Sequence, residues 1–367
     1  MRNGFSIQIG RVRHERVPIA HHVKTAFGVM TERHAVLLVL EDAAGAAGVG
    51  ESWVNFPLSA PWERVAAFEH GFIPYLEGRA VEAVPAFMEQ MYRAFVGPAR
   101  QSGTIGPLLQ GLCAVELALW DLAAQAAGVP LASHLFEAPA SRVRVYASGL
   151  NSPIPWDLVD AHIERGVTLF KLKLGFGESE DRQNLAALKA HLGAKASIAV
   201  DVNRGWTLDE ALAWLPALHE YDVQWIEEPL TAAEEVHLAR LRERSGIPLA
   251  GGENVLMPPD AEPAELANTP FDILQPDLTK YAPLHVAKRL LPLAQKNGKR
   301  LVPHFLGSGP GQAASIQFAA GCPDALLELD INRNTLRTDL MTPPFEIVDG
   351  CIAIPELPGI GWRLRDG

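Results

Sequence analysis

Short apolar runs that end in polar residues recur through the second half of the chain. From Val143 onward they alternate with helix-like segments such as 181–191 and 236–245, the texture of parallel strands joined by helical crossovers. The residues that close the runs are Ser148, Lys173, Asp201, Glu227, Glu253, Asp277, His304 and Glu328, spaced by 24 to 28 residues. Eight βα units at that period predict an α/β fold, a closed (β/α)8 barrel of the TIM type.

The first hundred or so residues read differently. Strands are expected at 5–12 and 35–40 and helical stretches at 62–76, with a glycine-rich turn at 45–50 that ends in Glu51-Ser52 and closes a small meander. A helix is expected at 112–127, where Val115, Leu119, Leu122 and Ala126 recur at helical spacing and Gly128-Val129-Pro130 supplies the stop. After Glu328 the βα pattern ceases, and 345–364, with Pro355 and Pro358, is expected to return to the cap. The expected domains are an N-terminal α+β capping domain at 1–128, the barrel at 129–335 and a C-terminal segment at 336–367 that completes the cap.

Composition narrows the function classes. A chain of 367 residues with 48% hydrophobic content is long enough for one barrel and a smaller domain. A formal charge of -11 with no dense basic run argues against nucleic acid or an anionic membrane as a partner. Cys113, Cys322 and Cys351 are odd in number, far apart and outside any CxxC pair, so neither a disulfide framework nor a zinc site is expected. Met1-Arg2-Asn3 and the early charges Arg11, Arg13 and Glu15 argue against a signal peptide. Apolar stretches such as 35–40 are strand-sized and too short to span a bilayer, and the cysteine pattern makes a reducing cytoplasm the expected setting.

The chemistry lies at the strand ends. In Phe170-Lys171-Leu172-Lys173-Leu174, alternation puts both lysines on one face. Inside a barrel that face points inward, where an ammonium needs anions or a function; the alternative is an edge strand with its lysines in water. Asp201 with Asn203, Glu227 and Glu253 close three successive runs. Each one alone reads as an ordinary charged strand end. Three converging carboxylates repel one another unless a hard cation sits between them, and three carboxylates with water and substrate oxygens suit octahedral Mg2+. Asp277 and His304 end the next two strands, where Asp277 can accept the imidazole N–H and orient the ring as a general base; a purely structural histidine is the alternative. Glu328 closes the ring, and desolvation by its leucine neighbours is expected to favour a protonated, hydrogen-bond-donating form.

With these residues in place, the chain resembles the enolase superfamily and, within it, the mandelate racemase subgroup, over essentially its whole length to Pro358-Gly359-Ile360-Gly361. The resemblance implies that Lys171-Leu172-Lys173 is the family's KxK base, with Lys173 transferring the proton and Lys171 lowering its pKa and contacting the substrate carboxylate. It implies that Asp201, Glu227 and Glu253 hold one Mg2+, that Asp277 and His304 form the dyad on the opposite face, and that Glu328 is the electrophilic glutamate. Asn203, Tyr146 and Ser148 match positions that line the pocket. A Lys or His base working with Mg2+ is the established pattern of that superfamily. Two departures stand out: Tyr281-Ala282-Pro283 where a Gly pair is common, and Leu135-Phe136-Glu137 in place of a Gly-containing turn. The other major branch carries a second lysine where Asp277 stands, which argues against a muconate-cycloisomerase-like enzyme.

The implied reaction is Mg2+-dependent removal of the proton alpha to a carboxylate, by way of a stabilised enediolate. The leading expectation is an acid-sugar dehydratase, a carbon–oxygen lyase. A racemase or epimerase of an α-hydroxy acid is the second, and a non-catalytic barrel-shaped binding or structural protein a third of another class. The expected partner is a small carboxylate substrate, and a homo-oligomer is expected. Specificity is expected from two cap loops, one with His21, His22 and Lys24, the other with Trp53, Asn55 and Phe56.

Overall fold

The computed structural model describes residues 4–25 and 28–365, with the side chains of 20–29, 265 and 266 outside the described set. Eight parallel strands run in chain order: Arg142–Leu150, Leu169–Lys173, Ser197–Asp201, Val223–Glu227, Leu249–Gly251, Ile273–Leu274, Arg300–Leu301 and Leu326–Asp330. The eighth pairs back onto the first, Leu326 opposite Arg144 through Asp330 opposite Ser148, which makes the sheet a barrel.

The barrel interior is built in layers. Tyr146, Leu169, Ala199, Trp225, Ala250, Ile273 and Leu326, each from a different strand, and Val302, just past the seventh, form an apolar plug. Side chains alternate along a strand, so the inward positions two residues later are Ser148, Lys171, Asp201, Glu227, Gln275, His304 and Glu328. The candidate site residues are thus the layer above the plug, at the C-terminal mouth where TIM barrels carry their chemistry. Residues 253, 277 and 304 lie beyond the hydrogen-bonded strands, which stop at 251, 274 and 301. Pro276 and Pro303 lack the N–H a ladder needs. Gly252, at φ +130°, breaks the alternation and lets Glu253 turn inward.

In the cap, β1 (Phe5–Thr25), β2 (Gly28–Asp42) and β3 (Ala47–Ser52) form an antiparallel meander. On β2, Val36, Leu38 and Leu40 enter the cap core, while Ala35 and Leu37 join the apolar cluster shared with the barrel. The helices Val84–Ser102 and Ile105–Ala127 pack on it. Four features differ from the sequence expectation. β1 is far longer than 5–12, and His21, His22 and Lys24 belong to it and not to a loop, because pairing with β2 resumes at Val23–Met30 after a register shift beyond Pro18. Gly48 and Gly50 lie in β3, not in the turn; a Cβ at Gly50 would fall within van der Waals contact of the Ala114 carbonyl, so glycine there admits the helix. The helix expected from 112 begins at Ile105, and the helix Val84–Ser102 had no counterpart in the reading. Finally, Ile105–Ala127 is long and apolar enough to cross a bilayer by length and composition, but its most apolar window is 78% buried between cap and barrel, as a core helix would be.

The tail touches both domains. Cys351–Ala353 pairs antiparallel with the first barrel strand, and Ile360 N–H donates to Asp121 of the helix Ile105–Ala127 at 3.0 Å.

Candidate active site

Lys171 is almost wholly buried, 1% exposed, and is held by anions. Its ammonium donates to Glu227, lies 2.7 Å from Glu328 and 3.8 Å from Asp201, and sits over the Tyr146 ring. Burial opposes its charge, yet Glu227 and Glu328 outweigh that and raise its pKa well above the ordinary lysine value. Lys173, one layer higher, donates to Asp201 at 2.9 Å and to Asn203 at 2.7 Å. For Lys173, burial and Lys171 pull the pKa down while Asp201 pulls it up, and the net shift is upward.

Across the mouth, the His304 Nδ1 is 2.7 Å from Asp277 Oδ2, and its Nε2 is 3.1 Å from Glu253 and 3.7 Å from Glu328. Asp277 is fixed in turn by the N–H and the hydroxyl of Thr279, both at 2.7 Å. Burial disfavours the imidazolium, but Glu253, Glu328 and Asp277 overcome it and push the His304 pKa up to about 10. Glu328 accepts from Ser148 and from the Phe305 N–H at 3.4 Å. Leu327 and Leu329 lie in the cluster outside the barrel, so donors, and not the expected leucines, surround its carboxyl.

Of the residues expected in the site, Lys171, Lys173, Asp201, Asn203, Glu227, Glu253, Asp277, His304, Ser148 and Glu328 are brought together. Tyr146 lies one layer deeper, in the plug, its ring edge-on to Trp225 at 5.2 Å. Trp53 reaches the mouth: its backbone N–H donates to the Thr279 carbonyl at 2.9 Å and its ring lies 4.7 Å from the Lys280 ammonium. The side chains of His21, His22 and Lys24 lie outside the described residues. Sequence reading passed over three buried groups. Lys280 bonds Glu253 at 3.2 Å and Asn254 at 2.7 Å. Glu228 turns inward through a positive φ of 39° and accepts from Asn254 at 2.8 Å. Gln275 donates to Glu227 at 2.6 Å, and its place two residues before Asp277, hence on the same strand face, was the signal that could have found it.

Among the described residues, no three His, Cys, Asp or Glu side chains stand in a ready-made ligating cage. Asp201, Glu227 and Glu253 close instead on Lys171, Lys173, Lys280 and His304. The donor set nevertheless fits a hard cation. Asp201, Glu227, Glu228, Glu253, Asp277 and Glu328, six buried carboxyls, face three ammonium groups and one imidazole, so the mouth carries more negative than positive groups. Burial drives the Glu227 pKa up to about 7 and, with Glu253 beside it, that of Glu228 to about 8. Crowded carboxylates of this kind take up a proton or a cation.

A (β/α)8 barrel with lysines on one side of its mouth and a His–Asp pair on the other is an enzyme framework for acid–base chemistry. Residues 157–367 match the family of enolase C-terminal domain-like proteins, and residues 8–135 match the mandelate racemase / muconate lactonizing enzyme N-terminal domain. The chain belongs to the enolase superfamily, in its mandelate racemase group. It is 30% identical to a D-galactarolactone cycloisomerase from Agrobacterium fabrum, over 95% of this chain and 94% of that protein. It is 28% identical to an L-talarate/galactarate dehydratase from Salmonella typhimurium, over 77% of this chain and 70% of that protein. A racemase structure from Streptomyces coelicolor with bound magnesium superposes with a TM-score of 0.83 at 26% identity, covering 98% of this chain and 97% of the other.

Proposed function

We propose that the chain is a Mg2+-dependent dehydratase of acid sugars whose first step removes the proton alpha to the carboxylate. One observation carries the reading: two proton-transfer groups, Lys173 on the second strand and His304 after the seventh, flank a mouth that holds Lys171, Glu328 and the carboxylate cluster. Asp201, Glu227 and Glu253 are the residues that would hold the metal. When bound, Mg2+ would supply Lewis-acid stabilisation of negative charge on the substrate carboxylate.

The protein's own groups then divide the work. Lys171 places a positive charge beside that carboxylate and, by repulsion, draws the Lys173 pKa down. Asp201 holds Lys173 charged in the pairing described above; with Asp201 turned to the metal, Lys173 would give up that proton and take the α-proton. Glu328 is the residue proposed to face the developing enediolate, and because it is already fixed 2.7 Å from the Lys171 ammonium, little reorganisation is needed as charge grows. His304, held as an imidazolium by Asp277, gives its proton to the β-hydroxyl; the β C–O bond breaks, the electron pair of the former α C–H bond becomes the new double bond, and water departs. Trp53, Asn55 and Phe56 of the cap, with His21, His22 and Lys24 of the β1–β2 hairpin, are proposed to select the substrate. The buried Trp53 indole N–H, which lacks an acceptor, is the donor on offer from the first group.

The relatives named for galactarolactone and for talarate and galactarate support a sugar-acid substrate. The test is a panel of sugar acids, galactarate and L-talarate among them, incubated with the Mg2+-loaded protein in D2O and followed by proton NMR. Dehydration with deuterium from solvent entering the product supports the reading. Inversion at the α-carbon without water loss would replace it with the racemase or epimerase alternative, and no exchange into any member would remove it.

A further inference from the structure

Glu51, the penultimate residue of β3, buries its carboxylate outside the catalytic layer, where the mechanism above makes no use of it. Three donors from the barrel converge on it: the Ser308 N–H at 2.6 Å, the Ser308 hydroxyl at 2.7 Å and the Gly311 N–H at 2.8 Å. These groups open the helix Gly309–Ala319, whose N-terminal dipole favours an anion. The enclosure is tight, since a Cβ on Gly307 would come within 2.6 Å of one carboxylate oxygen and a Cβ on Gly311 within 2.8 Å of the other. Burial pushes the Glu51 pKa up and the bonds from Ser308 and Gly311 pull it down, with a net value of about 7, so the placement opposes its own charge and the three donors offset only part of that cost.

What the contacts hold is the segment that follows His304. The seventh strand ends at Leu301, and Pro303 has no N–H to donate, so from there to His304 the chain is tied to the barrel by the Val302 N–H on the Leu274 carbonyl at 2.9 Å and the His304 N–H on the Pro276 carbonyl at 3.2 Å. Ahead of it, the Leu306 carbonyl accepts from the cap's Asn55 at 2.9 Å, and Ser308 and Gly311 bond Glu51. Asn334 of the barrel adds a bond to the Gly307 carbonyl at 3.2 Å. The same stretch of cap reaches the other dyad member, because the Trp53 backbone N–H donates to the carbonyl of Thr279, whose own N–H and hydroxyl fix Asp277. Lys173, by contrast, bonds Asp201 and Asn203, both from the barrel.

We propose that Glu51, assisted by Asn55, is a positioning residue for the Asp277–His304 dyad, so that the cap completes one half of the acid–base pair and leaves the lysine half to the barrel. The proposal rests on the reading of His304 as an acid–base group. Its test is chosen to stand apart from substrate identity. The probe is the proton shared between His304 Nδ1 and Asp277, observed by proton NMR in the Mg2+-loaded protein and assigned by its loss in Asp277→Asn.

In Glu51→Gln an NH2 group replaces one accepting oxygen, so at least one of the three donors loses its acceptor, and Asn55→Ala frees the Leu306 carbonyl. Exchange of the dyad proton with solvent is expected to quicken by about tenfold or more in each variant. Asp121→Asn, which loosens the cap where Asp121 accepts from Val49 and Ile360, should lower the melting temperature without that effect. Asn203→Ala should leave the proton unchanged as well. Should Glu51→Gln fail to fold, Asn55→Ala decides alone. Unaltered exchange in the folded variants, or quickening equal to that in Asp121→Asn, would overturn the proposal. A dyad proton absent from the wild-type protein would overturn it together with the geometric reading of His304, whereas inertness toward every sugar acid would overturn only the proposed reaction.

Discussion

The two sides of the barrel mouth are built in different ways. On the lysine side, Lys173, Asp201 and Asn203 come from adjacent strands, separated by no more than 30 residues of chain, and bond one another directly. On the histidine side, Asp277 and His304 are also near neighbours, but the segment around them is fastened by Glu51, Trp53 and Asn55, as many as 260 residues away in sequence. A barrel can specify the first half with consecutive βα units alone. The second half requires two domains to meet, so its precision depends on how the cap is seated.

The largest effects should fall on the half shared by all steps. Asp201→Asn, Glu227→Gln or Glu253→Gln should each lower kcat by about 100- to 1000-fold and weaken Mg2+ binding, read by titration calorimetry, while the far-ultraviolet circular dichroism is unchanged. Full activity after exhaustive chelation would break the assignment. Lys173→Ala should be comparably severe and should abolish both turnover and α-proton exchange.

Smaller, and more telling for the contrast, is His304→Asn. It should cut turnover by about 100-fold or more while leaving slow exchange of the α-proton, since Lys173 still faces the substrate. If the substrate has the opposite configuration at that carbon the two residues trade roles, and the variant that keeps exchange is Lys173→Ala. Trp53→Ala should change which sugar acids react, by about tenfold in relative kcat/KM, with Mg2+ binding retained.

The gentlest test concerns the seating of the cap. Asp121 accepts from Val49, Ile360 and Gln125, and burial, only partly offset by those bonds, raises its pKa to about 6 from the ordinary 3.8. A folded-state pKa above the unfolded value means that the folded protein keeps a proton the unfolded chain has released, so stability from this group falls as pH rises from about 4 to about 6. Asp121→Asn does not titrate there. Its deficit in urea stability against the native protein should therefore narrow by about 1–3 kcal/mol across that window. A gap independent of pH would show that Asp121 is not the buried acid described.

How much of this was legible beforehand follows from the range of each interaction. The eight strand ends were readable because period-2 alternation and a regular βα repeat are local, and they led to the functional layer above the apolar plug. Glu228 was not readable, because alternation points it outward and only a positive φ returns it to the mouth. Lys280 gained its place through Glu253 and Trp53, partners distant in the chain. The length of β1 was missed because its apolar pattern is diluted by Arg, His and Glu, and what sustains it is pairing with β2. Glu51 was taken for the end of a turn, since a carboxylate buried against another domain leaves no periodic trace.

Deuterium exchange at the α-carbon of a sugar acid, followed by proton NMR with Mg2+ present and then chelated, tests the central claim most directly. The account predicts exchange that requires Mg2+, persists in one of Lys173→Ala and His304→Asn, and vanishes when both substitutions are combined. Wild-type exchange or turnover in the double variant, or in the chelated protein, would contradict it.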